Sequence, residues 1–226
     1  MQPNAVTVQE ALEMALSTIL RETIKVVGAG RTDTGVHASF FIAHFDSVNT
    51  ALANDSIINK LNSFLPNDIA IQNIREVAND AHARFDAVSR TYHYYISRVK
   101  DPFSIETAYK YTSPLDVDAM NNAAKILFEY EDFTSFSRLH TDVKTNNCKI
   151  SIAEWEEKGG QLVFTIKADR FLRNMVRAIV GTLLEVGKGK LPIEGMRRII
   201  EQKDRCAAGA SAPAKGLFLV AIEYPY

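Results

Sequence analysis

Cysteine is scarce in this 226-residue chain: Cys148 and Cys206 stand far apart, and no Cys-x-x-Cys pair occurs. That spacing excludes a cysteine zinc cluster or a disulfide framework and suits thiols in a reducing compartment. Net charge is scarce too, at −1, so the chain as a whole lacks the basic surplus of a typical nucleic-acid binder. No apolar run approaches the ~20 residues of a spanning helix, and the first residues are polar rather than signal-like, so neither membrane nor secretion is expected. A GxGxxG fingerprint and the Lys-Ser/Thr pair of a phosphate loop are both missing, which removes the simplest nucleotide-binding readings. The remaining composition, 46% hydrophobic and 23% charged, is ordinary enough for one large domain or two small ones with a proper core.

Against that background one segment stands out: Gly28-Ala29-Gly30-Arg31-Thr32-Asp33-Thr34-Gly35-Val36-His37-Ala38. It follows the β-branched run Ile24, Val26, Val27 and precedes a strand-like run from Phe40 to Phe45. Glycines permit positive φ and close approach of a ligand. A plain connection needs no guanidinium, carboxylate and hydroxyls at its centre, so the loop presents Asp33 to something. The bland alternative is an aspartate that hydrogen-bonds its own turn. Asp33 and His37 are four residues apart with no third ligand close in sequence, which argues against a metal site.

The charge is unevenly spread. Between Thr165 and Arg205 ten basic residues meet five acidic ones, a surplus of five that reads either as a phosphate-binding face or as ordinary solvated helices. Thr7-Val8-Gln9-Glu10 forms a capping box for a helix striped by Val8, Leu12, Leu16, Ile19 and Leu20. A second helix spans Asn54 to Leu65, stopped by Pro66; strands follow at Ile69–Val77 and Val88–Val99. Beyond Asp101-Pro102 come a helix at Val117–Tyr130, strands near Lys149–Glu156 and Leu162–Ala168, helices at Phe171–Val186 and Ile193–Gln202, and a last strand. With no regular βαβ alternation, the reading is α+β: a mixed, mainly antiparallel sheet with helices packed on one side, in halves 1–100 and 101–226. A helix from Phe171 places Arg170, Arg173 and Arg177 on one face and is otherwise largely buried. Its Arg177 therefore needs a carboxylate, either Asp33 or a structural acid such as Glu185.

The wording of the loop goes further. GRTDTGVHA closely resembles the GRTDxGVHA loop of the tRNA pseudouridine synthases of the TruA type. Ala83-Arg84-Phe85-Asp86-Ala87 followed by Arg90-Thr91-Tyr92-His93-Tyr94 resembles that family's second motif. Asp132-Phe133-Thr134-Ser135-Phe136 and Phe171-Leu172-Arg173-Asn174-Met175-Val176-Arg177, with Gly181, resemble two more. Gly216-Leu217-Phe218-Leu219-Val220 to Tyr224-Pro225 resembles its closing strand, so five segments in the family's order cover almost the whole chain. One departure stands out: the family's opening strand, with its Asp-Gly and Gly-Trp-Gln turn, precedes the segment that begins here at Gln2-Pro3-Asn4. Its loss is expected to weaken the sheet and keeps a second reading open, a truncated, non-catalytic RNA-binding module. A metabolic hydrolase using Asp33 with His37 is a distant third.

The resemblance implies a pseudouridine synthase fold, two similar halves around a central cleft, working as a cytoplasmic homodimer on tRNA. It implies isomerisation of uridines 38, 39 and 40 in the anticodon stem-loop, chemistry that needs no cofactor. By resemblance Asp33 is the catalytic aspartate; attack on the sugar carbon, addition to the base ring and abstraction of a sugar proton are all open to it. Arg177 would orient its oxygens, and Tyr92 would offer a stacking face and a phenol beside a flipped base. Phe171 and Leu172 would wall the base pocket, and Arg31 would clamp a backbone phosphate. Thr32, His37, Arg84, Phe85 and Arg173 complete the expected substrate contacts.

Overall fold

The computed structural model describes residues 7–49, 52–138 and 145–226. The segment at Gln2-Pro3-Asn4, which the family's opening strand precedes, lies outside them. In chain order the elements are helix α1 (Val8–Leu20), short strands β1 (Val27–Gly28), β2 (His37–Ala38) and β3 (Ala43–His44), helix α2 (Asp55–Phe64), strands β4 (Ser89–Ser97) and β5 (Tyr109–Lys110), helix α3 (Val117–Lys125), the hairpin β6 (Ile150–Lys158) and β7 (Gln161–Ala168), helices α4 (Met175–Gly187) and α5 (Ile193–Gln202), and strand β8 (Leu217–Glu223).

These elements form two compact units. One comprises Met1–Gly30 with Ile42–Asp86, the other Arg31–Phe41 with Ala87–Tyr226. The boundary expected at residue 100 does not coincide with this division. Strand β4 is hydrogen-bonded along its length to β7 and β8, and β2 pairs with β8, so both strands join the larger unit.

In the smaller unit Thr7 caps α1 as read, its hydroxyl accepting from the Glu10 amide at 3.1 Å, and Ala15 and Leu16 are buried. Asn54 caps α2 through the Ile57 amide at 2.9 Å, and Leu61 is fully buried beneath it. The strands expected on either side of the glycine loop shrink to β1 and β3, joined by an antiparallel pairing of Val27 with His44 and Gly28 with Ala43. No strand forms over Ile69–Val77. Ile69, Ile71 and Ile74 still pack on the core around Leu61, but the backbone of Ile71 is met by a side chain: Asn62 binds its amide at 2.7 Å and its carbonyl at 2.9 Å. The apolar residues Ile69, Ile71 and Ile74 are drawn inward without the backbone joining a ladder.

The larger unit holds a mixed sheet in the order β2-β8-β4-β7-β6, with β5 beside β4. The β2–β8 and β4–β5 pairings are parallel and the rest antiparallel, as the α+β reading requires. Alternation along β4 sends Tyr94 and Ile96 into the core with Phe164 and Ile166 of β7 and the buried faces of α3, α4 and α5. His93 and Tyr95 point to the opposite face, where Tyr95 packs edge-on to Phe218 at 5.1 Å. The register with β8 shifts by one residue between Thr91 and Tyr92, in the middle of β4.

Candidate active site

The loop carrying Asp33 begins with a tight turn: the Val36 amide donates to the Asp33 carbonyl at 3.1 Å, and Gly35 adopts φ 82°, a conformation L residues avoid. Strand β2 then locks the loop to the sheet. His37 and Ala38 pair with Phe218 and Leu219, and the Ser39 amide donates to the Leu219 carbonyl at 3.0 Å. The His37 ring stacks on Phe218 at 4.5 Å, with Nε2 2.8 Å from the Glu106 carbonyl. A carbonyl only accepts, so Nε2 carries the proton. Held in this way, the Asp33 side chain is 20% exposed.

Arginine meets it from α4. Arg177 Nη1 donates to Asp33 Oδ2 at 2.9 Å, while its Nε donates to the Ala212 carbonyl at 2.8 Å. Arg173 Nε lies 3.8 Å from Asp33 Oδ1, more exposed and more loosely engaged. The other carboxylate considered for Arg177, Glu185, instead pairs with Lys188 at 2.8 Å. The helix does not begin at Phe171. Asn174 takes a left-handed φ of 66° and α4 starts at Met175, so Arg170, Arg173 and Arg177 do not share a helical face. Arg173 and Arg177 converge on Asp33 because the turn ahead of the helix brings Arg173 to the other carboxylate oxygen.

Tyr92 packs edge-on against Phe171, ring centres 5.2 Å apart. Burial pushes its phenol up to about 12, opposed by Arg90 and reinforced by the charge of Asp33. At neutral pH it is therefore a neutral donor. Leu172 is 4% exposed and belongs to the core. Arg31 and Thr32 are exposed on the loop. Arg84 and Phe85 belong to the smaller unit, where the Arg84 guanidinium lies 5.7 Å over the Phe85 ring and His82 packs on the same ring at 4.3 Å. The structure thus brings together Asp33, Arg173 and Arg177, with Tyr92 in electrostatic reach and Phe171 against Tyr92. Sequence reasoning missed the Ala212 carbonyl, whose only trace is the run of small residues Ala207-Ala208-Gly209-Ala210-Ser211-Ala212. An open groove of about 740 Å³ lined by Asp118, Asn121, Lys125, Phe128, Glu154 and Trp155 includes none of these residues.

The basic sector is less bare than its sequence suggests. Lys167, Arg173, Arg177, Lys188, Arg197 and Lys203 all pair with carboxylates, and Glu223, Asp33, Glu129 and Asp132 come from outside the sector. Among the described residues, no helix is long and apolar enough to cross a membrane.

Comparison with known proteins adds a family to this geometry. The sequence profile of the family described as tRNA pseudouridine synthase matches residues 1–86 and 123–225. The chain is 60% identical over 227 aligned residues to tRNA pseudouridine synthase A of Bacteroides thetaiotaomicron, covering 99% of this chain and 84% of that protein. It is 59% identical to the protein of the same name from Bacteroides fragilis, over 99% of this chain and 89% of the relative. A third relative of that name, from Syntrophomonas wolfei, is 42% identical over the whole chain and 91% of its own length.

Proposed function

This chain belongs to the tRNA pseudouridine synthase family, and we propose that it isomerises uridine in tRNA with Asp33 as the catalytic carboxylate and Arg177 as its orienting cation. The reaction breaks the N1–C1′ glycosidic bond, turns the base and joins C5 to C1′; C5 loses a proton and N1 gains one. Attack on the sugar, addition to the base and removal of a sugar proton each demand a carboxylate oxygen held in a fixed direction. The observation that carries the reading is the bond from Arg177 Nη1 to Asp33 Oδ2, which fixes one oxygen and leaves Oδ1 to the looser Arg173. Tyr92, a neutral phenol against Phe171, is suited to stack on or donate to the displaced base.

The finer elements of this proposal rest on the resemblance: targets at the three anticodon-arm positions, a homodimer, a cytoplasmic setting, and two similar halves around a cleft. Arg31, Thr32, Arg84 and Phe85 are retained as proposed tRNA contacts, supported by their exposure. Tritium release from C5-labelled uridine in tRNA tests the assignment. Asp33→Asn should abolish release while tRNA affinity stays within a few-fold. Appreciable turnover in that variant would remove Asp33 from the chemistry, and a wild-type chain that binds tRNA without release would favour the non-catalytic reading.

A further inference from the structure

We propose that the segment from Ala207 to Pro213 is a template that sets the Arg177 guanidinium, and that Arg205 and Asn174 act on it through Ser211 as positioning residues. The inference rests on the Asp33–Arg177 reading above and extends it to Ser211, Asn174 and Arg205, whose side chains bond to neither Asp33 nor the Arg177 guanidinium.

Arg177 and Ala212 are coupled twice. The Ala212 amide donates to the Arg177 carbonyl at 2.9 Å, and Arg177 Nε donates back to the Ala212 carbonyl at 2.8 Å. With Nε committed there and Nη1 committed to Asp33, two points define the direction of the guanidinium. The Ala212 carbonyl thus has a task that a mere connection between α5 and β8 would not have.

The segment has the anchoring such a task requires. The Gly209 amide donates to the buried Thr182 hydroxyl at 3.0 Å, and Tyr94 OH donates to the Pro213 carbonyl at 2.9 Å. Between these ends Ser211 Oγ accepts from Asn174 Nδ2 at 2.6 Å and from Arg205 Nη2 at 2.9 Å, while Arg205 Nη1 donates to the Gly209 carbonyl at 3.2 Å. Ser211, adjacent to Ala212, is therefore a hub tied to the residue just ahead of α4 and to a cation beyond α5. Arg173, 53% exposed and 3.8 Å from Asp33, stands ready as a competing partner. Without the template, Arg177 is free to leave Oδ2 and the carboxylate loses its fixed direction.

The test is single-turnover isomerisation at saturating enzyme, with tRNA affinity and thermal unfolding measured in parallel. Ser211→Ala should slow the chemical step about ten- to a hundred-fold, the scale of a misplacement near 1 Å, with affinity unchanged. Ser211→Thr keeps the hydroxyl and should recover most of the rate. In an Arg177→Lys background, Ser211→Ala should add no further loss, because its effect passes through the guanidinium; a merely structural serine would cost the same in both. If Ser211→Ala does not fold, Asn174→Gly serves, since glycine accepts the left-handed φ while removing the amide. Full turnover in Ser211→Ala beside a crippled Arg177→Lys would overturn the template alone. Full turnover in Arg177→Lys would overturn the underlying pair instead.

Discussion

Gly181→Ala puts the seat of the Ala212 carbonyl under a calculable load. A Cβ at Gly181 would lie 1.8 Å from the Ala210 carbonyl oxygen, against 3.4 Å or more for ordinary contact, and the opposing atom is backbone that cannot swing aside. Separation by roughly 1.5 Å is needed to relieve the overlap. Two residues on, the Ala212 carbonyl holds Arg177 Nε at 2.8 Å, and such a bond has less than about 1 Å of slack before it is lost. The displacement exceeds the slack, so the guanidinium should be released. In an unconstrained helix the same substitution stabilises by ~1 kcal/mol; here overpacking should cost about 1–3 kcal/mol. At ~2–4 °C per kcal/mol for a chain of this size, the melting temperature should fall by several degrees. Single-turnover tritium release below that temperature should fall up to about a hundred-fold, with tRNA affinity retained. An equal or higher melting temperature together with a full rate would show that close approach at Gly181 does not hold the Ala212 carbonyl in place.

Burial of Tyr92 has a stability consequence at alkaline pH. Its phenol is raised from 10.0 to about 12 in the folded chain, so the stabilisation it contributes is complete below pH 10 and is lost as pH rises toward 12. Tyr92→Phe should flatten that part of the unfolding curve by at most about 3 kcal/mol, and an unchanged slope in the variant would refute the burial argument. Affinity for tRNA should fall with salt by a log–log slope of roughly −0.7 to −0.9 per phosphate contact, and binding indifferent to salt would exclude a phosphate-led interface.

Elements whose signal is local were legible in the chain. Asn54 and Pro66 bracket α2, and the alternation of Thr91, His93 and Tyr95 with Tyr92, Tyr94 and Ile96 marks β4. The start of α4 was not, because its break is an asparagine in a left-handed conformation with neither glycine nor proline to announce it. The missing strand at Ile69–Val77 shows the limit of reading apolar content as a strand: apolar residues record which side chains turn inward, whereas a ladder needs a backbone partner, and at Ile71 the Asn62 side-chain amide takes that place. The Asp33–Arg177 pair could be anticipated because a guanidinium on a largely buried helix demands a carboxylate. The Ala212 carbonyl could not, since a backbone acceptor has no residue identity to read.

The pair cannot be what organises its own loop. Its two residues are 144 positions apart in sequence, and a charged hydrogen bond contributes about 1.5–3 kcal/mol. Ordering the six residues from Arg31 to Val36 costs about 6–12 kcal/mol of backbone entropy. The difference has to come from structure outside the pair. Gly35 lets the turn close without strain, and the pairing of β2 with β8, the His37–Phe218 stack and the bond to the Glu106 carbonyl tie the loop's far end to the sheet. Ala212, for its part, holds the opposing guanidinium to α4. Asp33 and Arg177 therefore meet as the termini of two separately fixed supports, both inside the larger unit. Such an arrangement fixes the carboxylate direction by the chain's own structure, and His37 supports that loop through its stack on Phe218 and its bond to the Glu106 carbonyl.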